Sequence, residues 1–143
     1  MARGDLAACK SAAAEQGAWI CFQDESGQSL RPHKGRTWAP VGQTPIVKVT
    51  GKGSGRVSVA GLVCVKPGQR TRLIYRTITF HGGRKEKKGF GVAELQALLA
   101  VAHQQLPGGK IVLCWDNLNA HIGPAVREFI DDHDWLTVFF HPQ

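Results

Sequence analysis

Ala18-Trp19-Ile20-Cys21-Phe22, running straight into Gln23-Asp24-Glu25-Ser26-Gly27, decides the fold, because its pattern returns as Ile111-Val112-Leu113-Cys114-Trp115 before Asp116-Asn117. Each apolar run is too short for a core helix and rich in β-formers, so each predicts a strand buried on both faces. Each also delivers an acid at its carboxyl end.

Working outward, residues 5–16 predict a short helix with Asp5 as N-cap and Gly17 as its stop. Between the first strand and Arg56 the chain is rich in Pro, Gly, Lys and Arg, which predicts a long loop over 28–55, with a short strand at 46–50. Residues 56–65 and 72–80 are β-rich, and the Pro67-Gly68 pair between them marks the turn of an antiparallel hairpin. Val92, Leu95, Leu98, Leu99, Ala102 and Leu106 then fall at helical spacing before Pro107-Gly108-Gly109. A second helix from Pro124 to about His133 and a last strand over 136–140 complete the series.

A helical crossover before Ile111 lays that strand parallel to one already in the sheet, and the first strand is the best neighbour. Asp24 and Asp116 then converge at the carboxyl ends of adjacent parallel strands, where open α/β sheets bind their ligands. Glu25 points to the other face if the strand persists that far. Converging carboxylates repel unless one is protonated or a hard cation sits between them. Mg²⁺ is the expectation beside a phosphate substrate, and a pair of such ions serves phosphodiester displacement. Asp-Glu-Ser-Gly and Asp-Asn are equally ordinary turn residues at strand ends.

Three blocks resemble the motifs of mariner-type DDE transposases from bacterial insertion sequences. They are Phe22-Gln23-Asp24-Glu25-Ser26-Gly27, Arg36-Thr37-Trp38-Ala39-Pro40-Val41-Gly42-Gln43-Thr44-Pro45, and Cys114-Trp115-Asp116-Asn117-Leu118-Asn119-Ala120-His121. The resemblance runs in order from Trp19 onward. It implies an α/β, ribonuclease H-like mixed sheet flanked by helices, two Mg²⁺ or Mn²⁺ ions, and cleavage and strand transfer of transposon-end DNA. Asp24 and Asp116 become the first and second catalytic carboxylates and metal ligands. Asn117 and His121 are supporting residues, the first bracing the Asp116 loop and the second orienting a carboxylate or contacting phosphate.

On this reading residues 1–17 are a helical lead-in and 18–143 the catalytic domain. The segment bearing the family's third acid is expected to be missing, so the chain reads as a truncated, inactive form. A DNA- or transposase-binding remnant and another ribonuclease H-like nuclease are the alternatives. Asp131, Asp132 and Asp134 belong to the wrong end of the last helix to replace the third acid, about 12 Å from Asp116 at 1.5 Å per residue.

The 143 residues carry 18 Lys plus Arg against 11 Asp plus Glu, a formal charge of +7, which favours a polyanionic partner. Lys48, Lys52 and Arg56 on one loop, and Arg84, Lys85, Lys87 and Lys88 on another, suit sequence-independent phosphate contact. The expected partners are transposon ends and target DNA, with a second copy or a full-length transposase as a protein partner. Trp38, in a Pro-Gly-rich loop, is expected to be an anchor packed on the domain rather than a base-stacking platform. Cys9, Cys21, Cys64 and Cys114 show no C-x-x-C spacing, and no signal peptide or membrane span is evident. A cytoplasmic, nucleoid-associated location is the expectation.

Overall fold

A computed structural model of the chain describes residues 2–3, 6–30, 37–46, 48, 53, 55–116 and 123–141. Its elements are β1 (Ala2–Arg3), α1 (Leu6–Gln16), β2 (Trp19–Ser29), β3 (Arg56–Val65), β4 (Arg72–Phe80), α2 (Val92–Gln105), β5 (Ile111–Asp116), α3 (Pro124–Asp131) and β6 (Leu136–His141). The strands form one sheet in the order β1-β6-β5-β2-β3-β4. β2, β3 and β4 are antiparallel neighbours, whereas β5 runs parallel to both β2 and β6. The sheet is therefore mixed, and the expected pairing of the two acid-terminated strands is present.

Local chemistry accounts for most boundaries. Gly17 ends α1 in the left-handed region at φ 59°, and Gly68, at φ 75°, takes the third position of a Lys66–Gln69 turn closed by a 3.0 Å backbone bond. Pro124 opens α3 at a position where no intrahelical N–H is needed. At the start of α2, Glu94 reaches back to accept the Gly91 N–H at 2.9 Å.

Alternation along the strands sorts the core into two layers. Trp19, Cys21, Leu62, Cys64, Leu113, Trp115 and Val138 meet Leu95, Leu98, Leu99 and Ala102 of α2 and Val126 of α3 on one face. On the other face Val112, Cys114 and Phe139 meet Cys9 and Ala13 of α1. All four cysteines are buried thiols. Burial pushes the Cys114 thiol up to about 12, and a hydrogen bond with Cys64 together with burial pushes Cys21 up, so these groups stay protonated. No helix among the described residues is long and apolar enough to cross a membrane.

Four expectations are corrected. The first strand does not stop at Phe22. It continues to Ser29 because β3 pairs with it along its whole length, from Ile20 opposite Val65 to Ser29 opposite Arg56. Residues 23–27 are thus strand and not turn, Gln28 and Ser29 of the expected loop extend the same strand, and the loop excursion begins only where the Leu30 N–H meets the Gly55 carbonyl at 3.0 Å. Second, β2 is not buried on both faces along its length: Phe22 is 38% exposed, because the cluster under α1 takes in β2 only as far as Ile20. Third, Trp38 is no anchor. It is fully exposed on the excursion, as are Val41 and Ile46. Fourth, Ala2 and Arg3 form a short strand that pairs with Phe139 and Phe140. Ile46 and Lys48 lie in no strand, and the rest of the short strand expected there falls outside the described residues, as does Asp5.

Candidate active site

The β2–β5 backbone ladder runs from Trp19 opposite Ile111 to Phe22 opposite Cys114. Carried two residues further, the same register sets Asp24 level with Asp116. Both follow an even-numbered alternation that puts them on the α1 side of the sheet, with Val112 and Cys114. Both acids thus lie just past the last rung of the ladder, at the same end of the sheet. In the sheet order β2 is followed on one side by β3, and β5 on the other by β6. The connections run to opposite sides of this pair, which makes it the topological switch point at which α/β sheets hold ligands.

The two acids differ in setting. Asp24 is exposed, and its Oδ1 accepts the Glu25 backbone N–H at 2.7 Å, which pre-orders the carboxylate. Asp116 is half-buried and its Oδ1 is enclosed by protein. Glu25 stays on the opposite face, 3.5 Å from the Gln23 amide, as strand alternation requires. Carboxylate oxygens are hard donors, and Mg²⁺ commonly takes one or two of them with waters and substrate phosphate completing its shell. The donor set fits such an ion. Among the described residues no group of three or more His, Cys, Asp and Glu side chains gathers into a metal-binding cluster.

The acids of the last helix are placed elsewhere. Asp131 closes α3, and Leu136 just beyond Asp134 pairs with Ile111, at the start of β5 rather than its end. Five residues of strand, about 16 Å at 3.3 Å each, separate that edge from Asp116.

The domain to which these carboxylates belong is identified by comparison with known proteins. A family model described as DDE superfamily endonuclease matches residues 19–143. The chain belongs to the DDE superfamily endonucleases. Among solved structures, this DDE domain is similar to the Mos1 transposase paired-end complex with left transposon end, at 15% identity and a TM-score of 0.51 over 92% of this chain and 39% of that one. It is also similar to the Mos1 strand transfer complex, at 15% identity and TM-score 0.52 over all of this chain and 44% of the other. The Mos1 mariner paired-end complex with Mn matches at 16% identity and TM-score 0.51, over 100% and 45%. At such identities the likeness is one of fold, and it shows the ribonuclease H-like sheet. The chain spans 39–45% of the length of these three structures. None of the curated proteins matches.

The basic residues of the DDE domain do not act alike. Arg84 and Lys85 are exposed on the loop between β4 and α2. Lys87 on that loop pairs with Glu94, and Lys88 sits 5.6 Å from the Phe80 ring, while both remain exposed. The loop is tied to the α2 face by Ser58 Oγ, which donates to the Lys88 carbonyl at 3.0 Å. Ser58 is three residues along β3 from Gly61, the partner of Asp24, or about 10 Å along the strand. Arg56 lies across Gly27 on that same face, and its guanidinium occupies the space that a Cβ at Gly27 would need. Lys48 is exposed on the excursion. Lys52, Asn117 and His121 lie outside the described residues.

One pair of polar side chains escaped sequence reasoning. Trp115 Nε1 donates a hydrogen bond to Gln23 Oε1, and both residues are buried. A glutamine one residue before an acid reads as a turn residue, and only the β2–β5 register brings it to the indole.

Proposed function

We propose that this chain is the catalytic core of a DDE transposase that binds DNA and holds a divalent cation, Mg²⁺ or Mn²⁺, between Asp24 and Asp116. The observation that supports this reading is the parallel β2–β5 register, which, carried two residues past its last rung at Phe22 and Cys114, sets the two carboxylates level on one face at the switch point of the sheet. When bound, such ions activate the attacking oxygen and stabilise the leaving oxygen of a phosphodiester. Asp24 and Asp116 supply the ligand oxygens and pre-order them. Arg84, Lys85 and Lys48 contribute phosphate contacts without reading sequence. Asn117 and His121 are proposed to brace the Asp116 loop and to orient a carboxylate or phosphate. A second copy or a longer transposase is the proposed protein partner, and a cytoplasmic, nucleoid-associated location belongs to the same reading.

With two carboxylates at the edge, and the other described acids of the last helix at the opposite edge, these residues are proposed to bind metal and DNA while cleaving feebly on their own. The test is incubation of the purified chain with Mn²⁺ and transposon-end DNA. The expected result is binding without efficient nicking. Efficient nicking lost on Asp24→Asn would show that the two acids suffice, and failure to bind either metal or DNA would sink the transposase reading.

A further inference from the structure

The backbone ladder that joins β2 to β5 ends at Phe22 opposite Cys114, short of the two acids. Beyond that point a side-chain bond joins the strands. Trp115 Nε1 donates to Gln23 Oε1, immediately before Asp116 and Asp24 respectively.

Both members are held from several sides. Trp115 is 3% exposed and its ring stacks on Phe140 of β6 at 6.3 Å between centroids, 16° from parallel. Gln23 is 8% exposed, and its amide N–H₂ lies 3.5 Å from Glu25 Oε1. The indole is donor-only and its position is fixed by the core, so it selects the carbonyl end of the glutamine. A buried N–H left without an acceptor costs more than the bond itself contributes, which makes the pairing close to obligatory.

Strand geometry converts this bond into a constraint on the other face. Because successive side chains alternate, a bridge between residues 23 and 115 on the α2 side sets the height and spacing of residues 24 and 116 on the α1 side. Where the ladder has ended, nothing in the backbone pairing between these two strands does so. We propose that Gln23 and Trp115 are positioning residues that hold Asp24 and Asp116 at the separation a shared cation requires. This rests on the reading of the two acids as cation ligands. The bridge touches neither cation nor substrate, and acts only through the strand backbone, as an outer-shell partner does.

The test is Mn²⁺ binding by the purified chain, followed by the electron paramagnetic resonance of the free ion, for the wild type, Gln23→Met, Trp115→Phe and the double variant. Gln23→Met keeps side-chain length and removes the acceptor, and Trp115→Phe keeps an aromatic ring and removes the donor. Each single variant should weaken Mn²⁺ about 10-fold or more while its circular dichroism spectrum is unchanged, and the double variant should be no weaker than the weaker single. Dissociation constants within about twofold of wild type for both singles, with Asp24→Asn abolishing binding, overturn the positioning role and leave the cation site standing. Binding that survives Asp24→Asn removes the cation site, and the proposal with it. Should either variant fail to fold, the wild-type chain still decides. The Trp115 indole N–H resonance should shift as Mg²⁺ is added, saturating with the affinity measured for that ion, and an unmoved resonance overturns the proposal.

Discussion

Trp38 and Trp115 show how little a residue type says until its surroundings are known. Both are tryptophans in blocks that resemble transposase motifs, yet one is fully exposed and the other 3% exposed. Trp38 precedes the Pro40–Gln43 turn, where Gly42 adopts φ 82° and the Gln43 N–H reaches the Pro40 carbonyl at 3.0 Å. The turn orders itself without packing on the sheet. Trp38→Ala should therefore leave the unfolding free energy within about 0.5 kcal/mol of wild type in a urea titration, as for an exposed position. A loss of about 3 kcal/mol or more, the cost of emptying a buried aromatic site, would restore the anchor reading. Asp24 was legible as an acid following an apolar run, but its place in mid-strand and its acceptance of the Glu25 N–H were not.

Among the elements, α2 carries the clearest electrostatic signature. Glu94 accepts the Gly91 N–H and pairs with Lys87, and these contacts, the lysine foremost, hold its carboxyl below the usual range. A carboxylate with a depressed folded-state pKa stabilises the fold fully above its unfolded value, and loses that contribution as pH falls through the folded value. Glu94→Ala should cost about 1 kcal/mol at neutral pH, the usual size of a lost N-terminal cap. The gap between wild type and variant should close as pH drops below the ordinary carboxylate range. Thermal melts of both proteins from neutral pH to acid give the comparison, and a gap that persists in acid would assign Glu94 a purely packing role. The apolar periodicity of α2 and the Pro67-Gly68 turn were readable locally, since spacing and φ preference need no tertiary partner. The length of β2 was not, because Gln23 to Ser29 are polar or small and are held in the strand by β3.

At the scale of the whole molecule, a charge of +7 is a property of the sum and says nothing about where DNA would lie. Four cations of the loop between β4 and α2 are exposed, and of these Lys87 and Lys88 also engage Glu94 and Phe80. Affinity for duplex DNA should fall linearly on a log–log plot against salt. The double variant Arg84→Ala/Lys85→Ala should flatten the slope by about 0.9 for each phosphate it no longer neutralises. Lys87→Ala should alter thermal stability more than that slope. Equal slopes for wild type and the double variant would move the DNA path away from this loop.

The amino-acid sequence by itself determined that two short apolar runs lead into acids, that a hairpin and two helices lie between and beyond them, and that the blocks around Asp24 and Asp116 resemble one family. These are local signals, carried by hydrophobic period, turn residues and motif order. Only the tertiary structure decided that β2 runs on through Asp24, that the acids of the last helix belong to the far edge, and that Gln23 meets Trp115. Each of those depends on pairing between residues far apart in the chain, where partner and register, not residue type, determine which side chains meet.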